Sequence, residues 1–312
     1  MVSTNPRPKP LSKRIRKDLR MFGTAYLMVF AVFLYYILFH YKPMLGAVIA
    51  FKDYVPRKGI WGSEWIGLQN FTSFFNSQFF GRLIRNTLTI SLSGLLFSFP
   101  AAILFALAVN EVHNNTFKRV VQTVSYMPHF ISLIVVCSMI RLFVDSRGFI
   151  VQIMEMFGYP GGKNLLGVNS MFVPIYVISE IWQQTGWNCI IYLAALNAID
   201  TELYEAARLD GAGRLKQTIH ITLPGLSRTI ILLLILRIGS MMSVGHEKII
   251  LLYSEQTYET ADVISSYVYR RGMINGDYSF STAVGLFNST INFTLVILAN
   301  RLSNALTGYG IW

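Results

Sequence analysis

An apolar run at residues 171–198 contains a group of polar side chains, in the stretch SEIWQQTGWNCIIY. Gln183 and Trp187 are four residues apart, as are Gln184 and Asn188, so each pair would share one face of a helix. Amides offer hydrogen bonds and the indole ring offers a flat apolar face, which together suit a sugar. The pattern predicts a polar pathway for a carbohydrate, although any one of these residues could instead join two helices by a hydrogen bond.

Two further apolar runs carry charged or amide side chains. Arg237 interrupts the run at 226–247, and Asn288 lies in the run at 281–305. An ionisable group inside a membrane is costly, so Arg237 is expected either to neutralise Glu180 at similar depth or, if unpaired, to meet an acidic sugar. The residues that we predict to line a substrate pathway are Gln183, Gln184, Trp187, Asn188, Arg237 and Asn288.

The sequence has no constellation for bond-making chemistry. The phosphate-binding pattern G-x-x-x-x-G-K-[ST] does not occur, and its nearest fragment, GYPGGKN at residues 158–164, is misspaced. The 5 histidines are scattered, and the cysteines, Cys137 and Cys189, lie in separate apolar runs, so a metal site is not expected. We therefore predict a protein that is not an enzyme and has no cofactor or metal of its own.

These polar groups belong to a strongly apolar chain. Of 312 residues, 53% are hydrophobic and 14% are charged, and the mean hydropathy is +0.45, whereas soluble proteins are about a quarter charged. The composition indicates a membrane protein. The net charge of +11 does not indicate nucleic-acid binding, because the basic residues lie at one end and between apolar runs. Six runs are long enough to cross a bilayer as helices: 22–42, 86–110, 120–143, 171–198, 226–247 and 281–305.

Basic residues also set the expected orientation. The tail 1–21 carries a dense cluster of Lys and Arg, which favours a cytoplasmic N-terminus. Six spans would return the C-terminal tail, 306–312, to the same side. We therefore predict an all-α, multi-pass membrane domain at 22–305, with six transmembrane helices and a cytoplasmic loop at 199–225.

The predicted cytoplasmic loop contains a charged, glycine-punctuated stretch, EAARLDGAGRLKQTIHITLP. Asp200 is a good N-cap for a first short helix, and Gly211 suits a left-handed turn that ends it. Pro224 suits the first turn of the following span. The pattern predicts a helix-turn-helix hairpin that is too small for a core of its own. Such a hairpin either docks into a groove on another protein or lies as a connector on the lipid headgroups.

The same stretch resembles the cytoplasmic signature of the membrane subunits of bacterial binding-protein-dependent ABC importers. Its spacing, Glu-Ala-Ala, three residues, Gly, nine residues, Ile-x-Leu-Pro, is complete. GLQNF at Gly67–Phe71 and YMPHFIS at Tyr126–Ser132 look like the carbohydrate-uptake branch, in particular permeases for complex oligosaccharides and polysaccharide fragments. The signature residues are Glu205, Ala206, Ala207, Gly211, Ile221, Leu223 and Pro224.

This resemblance implies a permease with the ABC importer fold in a bacterial cytoplasmic membrane, with the hairpin as a coupling helix for a separate ATPase. In that family Glu205 would make a polar docking contact, and the alanines would allow close approach. The implied partners are a second related permease forming a heterodimer, two ATPase subunits that bind ATP and Mg²⁺, an extracytoplasmic solute-binding protein and a carbohydrate.

An ion-gradient-driven secondary transporter is the alternative function. Such a transporter needs a relay of carboxylates inside the membrane. Glu180 is the one carboxylate well inside a predicted span, so the sequence favours the ATP-driven importer. Dependence of uptake on a cation gradient would distinguish the two.

Overall fold

The computed structural model describes residues 11–312, with side chains from residue 20 onward, and most of this chain is helical. In chain order the main helices are α1 (Leu11–Tyr36), α2 (Gln69–Phe75), α3 (Phe80–Asn110), α4 (Asn115–Tyr126), α5 (Leu133–Phe143), α6 (Phe149–Met156), α7 (Asn169–Leu196), α8 (Thr201–Leu209), α9 (Arg214–Gly239), α10 (His246–Leu252), α11 (Ile264–Tyr269) and α12 (Tyr278–Thr307).

Within the described residues, 4 helices are long and apolar enough to cross a membrane: Arg20–Phe51, Phe80–Asn110, Arg214–Gly239 and Tyr278–Thr307. α7 has 28 residues, or about 42 Å of α-helix, which is long enough to cross a bilayer. Its Glu, Gln and Asn side chains keep it out of that apolar set. The predicted predominance of membrane-length helices is confirmed, whereas six spans and cytoplasmic termini stay predictions.

The third predicted span, 120–143, is wrong as a single helix. α4 passes into a tight 3-10 turn at Met127–Phe130, and α5 starts after a bend of 97°. Pro128 has no amide hydrogen, and its ring obstructs the carbonyl four residues earlier, so an α-helix is interrupted there. Together α4 and α5 form one broken span or a re-entrant segment.

The fifth predicted span, 226–247, has different bounds. The continuous helix α9 begins twelve residues earlier than predicted, at Arg214, and passes through a π-helical turn at Thr218–Thr222. Pro224 lies in the first turn of its longer α-helical part, Leu223–Gly239, as predicted. The second arm of the hairpin thus continues into the span. α9 ends at Gly239, and α10 is a separate helix after a turn. Asn292 of α12 holds this turn, because its amide oxygen accepts from the Met242 amide at 3.0 Å and its nitrogen donates to Ser243 Oγ at 2.8 Å.

The first apolar helix stands apart from the others. Leu27 and Phe30 are 68% and 62% exposed, and the end of this helical stretch, Leu45–Phe51, packs on α12. An apolar helix exposed all round requires lipid or another protein chain around it. A short antiparallel ribbon, Lys52–Asp53 with Glu64–Trp65, follows, so the all-α prediction is wrong in this detail.

Three hydrophobic clusters hold the other described helices together, except α8 of the hairpin. One joins α3, α7 and α9 through small side chains such as Ala102 and Ala106, which allow close helix packing. A second surrounds Phe172 and connects α7 with α5, α6 and α10. The third surrounds Phe74 and joins α2, α3, α11 and α12. The helices that carry the predicted pathway residues are therefore fixed against one another.

The C-terminal tail folds back on α12. Gly308, with φ of +72°, ends the helix. Asn300 Oδ1 then accepts from the Ile311 amide at 2.7 Å, and Asn304 Nδ2 donates to the Trp312 carbonyl at 3.0 Å. The tail is thereby tied to the last two turns of α12.

Candidate functional site: a polar cluster between helices and an exposed hairpin

An ion pair joins α7 and α9. Arg237 Nη2 donates to Glu180 Oε1 at 2.8 Å, so the pairing expected from their similar depth is confirmed. The acidic sugar was expected for an unpaired Arg237, and that condition is not met, so such a ligand depends on the donors that the ion pair leaves free. The pair faces a polar cavity of about 180 Å³ between α3, α7 and α9. Its wall is formed by Ile90, Ser91, Tyr176, Glu180, Arg237, Ser240, Met241, Ser243, Val244 and Gly245.

The two partners of this ion pair differ in accessibility. The Glu180 side chain is 19% exposed, whereas that of Arg237 is 43% exposed. A guanidinium carries five N–H donors in a planar fork, so Arg237 keeps donors for a ligand in the cavity while it holds Glu180. Gly94 of α3 leaves room for the pair, because a Cβ at this position would lie 3.0 Å from Arg237 Nη2.

A second group of polar residues forms around the broken span. His129 lies in the 3-10 turn after α4, and its Nδ1 is 3.0 Å from Gln184 Oε1. The ring of His129 stacks on Trp187 with 4.3 Å between centroids and 2° between planes. Gly186 allows this contact, because a Cβ there would collide with the Ser125 carbonyl of α4. The sequence reasoning missed His129 as a partner of the two α7 residues.

The predicted pathway residues of α7 therefore divide into two groups. Gln183 is 5% exposed and faces the protein interior, so it does not share an accessible surface with Trp187 as predicted. Trp187 and Asn188 are exposed, and Gln184 is half-buried against His129. We call Gln183, Gln184, Trp187 and Asn188 the polar row of α7. Trp187 and Asn188 are the members of this row that a ligand could reach in the present conformation.

Asn288 of α12 meets the turn that follows α9. Its Nδ2 is 3.5 Å from Ser243 Oγ, and Ser243 lines the cavity of the ion pair. Asn288 Oδ1 is buried and has no hydrogen-bond partner among the described residues. Asn288 therefore adjoins the cavity wall through Ser243.

The hairpin between α7 and α9 has the predicted local chemistry. The Asp200 carboxylate accepts from the Glu202 amide at 3.0 Å and caps α8. Gly211 adopts a φ of +76°, the left-handed conformation that lacks a steric penalty for glycine. The Ala212 amide donates to the Ala207 carbonyl at 2.8 Å and closes the helix end. The predicted turn at Gly211 is confirmed.

Hydrogen bonds hold the two arms of the hairpin together. Tyr204 Oη and Thr222 Oγ1 are 3.0 Å apart, and Gln217 Nε2 donates to the Ala212 carbonyl at 2.7 Å. A cavity of about 680 Å³ lies beside them. Glu205 and Arg208 line it together with the end of α3 and the start of α9. The cavity therefore presents both charges on a surface that continues from α3 to the hairpin.

The tip of the hairpin exposes apolar side chains. Leu209 is 90% exposed and Leu215 is 74% exposed. Of the signature residues, Glu205, Ala206, Gly211 and Pro224 are exposed, and Ala207, Ile221 and Leu223 are half-buried. The apolar and aromatic side chains of α8 face different ways, because Leu203 and Leu209 are exposed while Tyr204 packs back against α9. The accessible side of the hairpin thus combines apolar side chains with Glu205.

A network of charged residues was missed by the sequence reasoning. Asp262 is fully buried and contacts Arg270 Nη2 at 2.7 Å and Arg82 Nη2 at 3.6 Å. Burial alone would lower the pKa of Arg270, but the hydrogen bond and the charge of Asp262 outweigh it and raise this pKa above its ordinary value. Arg82 and Asp262 are far apart in sequence, and no local pattern links them. Among the side chains described, those of residues 20–312, no group of three or more His, Cys, Asp or Glu could hold a metal ion.

Comparison with known families gives a match over most of the chain. The model of the family described as "Binding-protein-dependent transport system inner membrane component" matches residues 94–307. The matched region contains the ion pair, the polar row of α7 and the hairpin.

Two relatives of Bacillus subtilis (strain 168) cover nearly the whole chain. The polygalacturonan/rhamnogalacturonan transport system permease protein YteP is 45% identical over 92% of this chain and 89% of its own length. The protein LplB is 43% identical over 92% and 90%. A bacterial alginate ABC transporter, solved in complex with an alginate pentasaccharide-bound periplasmic protein, has a chain that matches 96% of this chain and 100% of its own with a TM-score of 0.87 and 40% identity.

Proposed function

Because this chain belongs to the family of inner membrane components of binding-protein-dependent transport systems, we propose that it forms half of a pathway for acidic oligosaccharides in an ATP-driven importer. It is a transport subunit of the permease type, with the ABC permease fold. The observation that carries the substrate proposal is the half-exposed guanidinium of Arg237 in a polar cavity. The acidic polysaccharides in the names of two similar transporters support it.

The hairpin is the proposed joint to a separate ATPase. Glu205 would make a polar contact at the docking surface, and Ala206 and Ala207 would permit close approach of the partner. Gly211 sets the angle between the arms, while Ile221, Leu223 and Pro224 connect the hairpin to α9. The exposed Leu209 and Leu215 give the tip an apolar surface that suits a groove on another protein. Because the second arm is continuous with α9, a displacement of the hairpin would move α9 and Arg237 with it.

The proposed assembly contains a second, related permease subunit. One such chain does not enclose a pathway wide enough for an oligosaccharide, and the first apolar helix has side chains exposed on all sides. Two ATPase subunits would bind ATP and Mg²⁺, since this sequence has no phosphate-binding loop of its own. A solute-binding protein would deliver the substrate from outside. In this arrangement the chain crosses a bacterial cytoplasmic membrane six times, with α7 as one span and both termini in the cytoplasm.

The proposed contacts with the sugar come from the polar cluster and the row on α7. Trp187 offers a ring face and Asn188 an amide, both accessible, while Arg237 offers charge. Gln183 is buried behind these groups, Gln184 joins α7 to His129, and Asn288 contacts the turn after α9 through Ser243. The function of the chain is therefore binding and gating. It has two conformations, and their populations are shifted by substrate at the pathway and by ATP at the partner ATPases.

The first experiment is to tag this chain, solubilise native membranes gently and identify the co-purifying proteins by mass spectrometry. We expect an ATPase subunit with a phosphate-binding loop and a second permease. Reconstituted with its binding protein, this complex should import a galacturonate oligosaccharide only when ATP is present. A preparation without an ATPase that takes up sugar with an ion gradient would instead establish a secondary transporter and overturn the proposal.

A further inference from the structure

A buried lysine, Lys248, lies behind the ion pair and is not among the proposed substrate contacts. Lys248 of α10 is 7% exposed. Its Nζ donates to the Tyr176 carbonyl at 3.3 Å and lies 4.6 Å from the centroid of the Tyr176 ring. Among the described residues no carboxylate lies within 4.0 Å of it. A buried ammonium without a carboxylate is costly, because a carbonyl and a ring replace only part of its hydration.

The carboxylate within reach of Lys248 is that of Glu180. Tyr176 and Glu180 are one turn apart on the same face of α7. In an α-helix the carbonyl of residue 176 also accepts from the amide of residue 180 at about 2.9 Å. Lys248 Nζ therefore lies within about 6 Å of the Glu180 amide nitrogen, and rotation of the Glu180 side chain can bring its carboxylate to the ammonium.

Glu180 thus stands between two cations and neutralises one of them. In the present conformation it binds Arg237 at 2.8 Å, which leaves Lys248 without an anion. The local set of Arg237, Lys248 and Glu180 carries one excess positive charge. A second carboxylate that enters the cavity would neutralise this excess charge.

We propose that Lys248 is a positioning residue for carboxylate exchange, an inference that rests on the proposed function. The carboxylate of a uronate residue in the substrate binds Arg237, and Glu180 leaves Arg237 and pairs with Lys248. Each cation then has one anion, and no proton transfer is needed. A neutral sugar has no carboxylate, so it does not displace Glu180 from Arg237.

Gly94 gives this exchange the space that it needs. The pair lies against the backbone of α3, where a side chain would contact Arg237 Nη2 and Glu180 Oε2. Arg237 is already accessible from the cavity, so the incoming carboxylate approaches the guanidinium from the open side. The exchange requires only side-chain rotations on α7 and α9.

The test uses the purified transporter complex in lipid nanodiscs. Its binding of a galacturonate trisaccharide is compared with that of the same trisaccharide after reduction of its carboxylates to hydroxymethyl groups. We expect Lys248→Met to weaken binding of the charged trisaccharide about tenfold and to leave binding of the reduced trisaccharide unchanged. Lys248→Arg should restore binding of the charged trisaccharide. Lys52→Met is the matched control, because Lys52 is another buried lysine that donates to a backbone carbonyl, that of Ser63 at 3.2 Å.

A double-mutant cycle keeps the proposal falsifiable if the single variant folds poorly. Glu180→Gln frees Arg237 in advance, so in that background Lys248→Met should have no further effect on the charged trisaccharide. Equal weakening of both trisaccharides, or additive effects of the two substitutions, would overturn the exchange and leave the importer intact. A wild-type complex that neither binds nor imports the charged trisaccharide would overturn the proposed acidic substrate, and the exchange with it.

Discussion

Tyr204 and Thr222 are 18 residues apart in sequence, and their hydroxyl oxygens are 3.0 Å apart in the fold. Tyr204 lies on the first arm of the hairpin, directly before the signature Glu205. Thr222 is 4% exposed and lies in the continuous helix that becomes the span carrying Arg237. This hydrogen bond therefore links the first arm of the hairpin, which carries Glu205, to α9.

Removal of this hydroxyl should loosen the coupling between ATP hydrolysis and uptake. A single hydrogen bond contributes about 1 kcal/mol, so Tyr204→Phe should leave assembly intact and lower the sugar imported per ATP hydrolysed. The measurement is parallel uptake and ATPase activity in proteoliposomes. Thr222→Val should have the same effect, and the double variant should be no worse than either single one. Additive losses would show that the two hydroxyls act separately.

The turn at Gly211 should be needed for transport more than for folding. With φ at +76°, a residue with a Cβ costs about 1–2 kcal/mol in this conformation, and a valine would change the angle between the arms. Gly211→Val should lower uptake strongly at normal abundance in the membrane. Gly213→Val is the control, because Gly213 is in the same turn with an ordinary φ of −67° and has open space around it. Normal uptake by Gly211→Val would contradict the coupling role.

The sequence predicted the parts of the site that depend on local rules. The cap at Asp200 and the left-handed turn at Gly211 follow from the conformational preferences of single residues. The pair of Glu180 and Arg237 follows from the cost of a charge in an apolar helix.

What the sequence could not predict depends on packing between distant elements. Pro128 marks an interruption, but prolines are tolerated in membrane helices, so neither the bend of 97° nor the stacking of His129 on Trp187 could be read from it. Lys248 directly follows the predicted span 226–247, where the sequence gives no sign of burial, whereas the packing of α10 on α7 buries it. Long-range contacts of this kind leave no periodic signal.

The absence of a side chain at Gly94 should matter for the ion pair. A Cβ would lie 3.0 Å from Arg237 Nη2 and 3.5 Å from Glu180 Oε2, so Gly94→Ala must displace the guanidinium by a few tenths of an ångström. We expect the free energy of unfolding to fall by about 1 kcal/mol, measured as a lower melting temperature. Transport assays should give a higher KM for an acidic oligosaccharide. Gly285→Ala is the matched control in α12. It has nothing within 4 Å of the new Cβ, so it should be neutral or stabilise the helix. Equal behaviour of both variants would show that the space at Gly94 is unimportant.

The buried charge of Asp262 should stabilise the fold far more than the exposed charge of Glu259. The Asp262 side chain is 0% exposed and accepts from Ser266 Oγ at 2.8 Å as well as from Arg270. Asp262→Asn leaves the half-buried Arg270 without a carboxylate partner among the described residues and leaves Arg82 with only Glu259, at 3.8 Å, so it should cost about 3 kcal/mol. Glu259→Gln removes the charge of a side chain that is 57% exposed and that pairs with the exposed Arg85 at 2.7 Å and with Arg82 at the longer distance of 3.8 Å. It should therefore cost less than about 1 kcal/mol. Thermal unfolding of the purified complex compares the two, and similar shifts in melting temperature would mean that burial of Asp262 contributes little to stability.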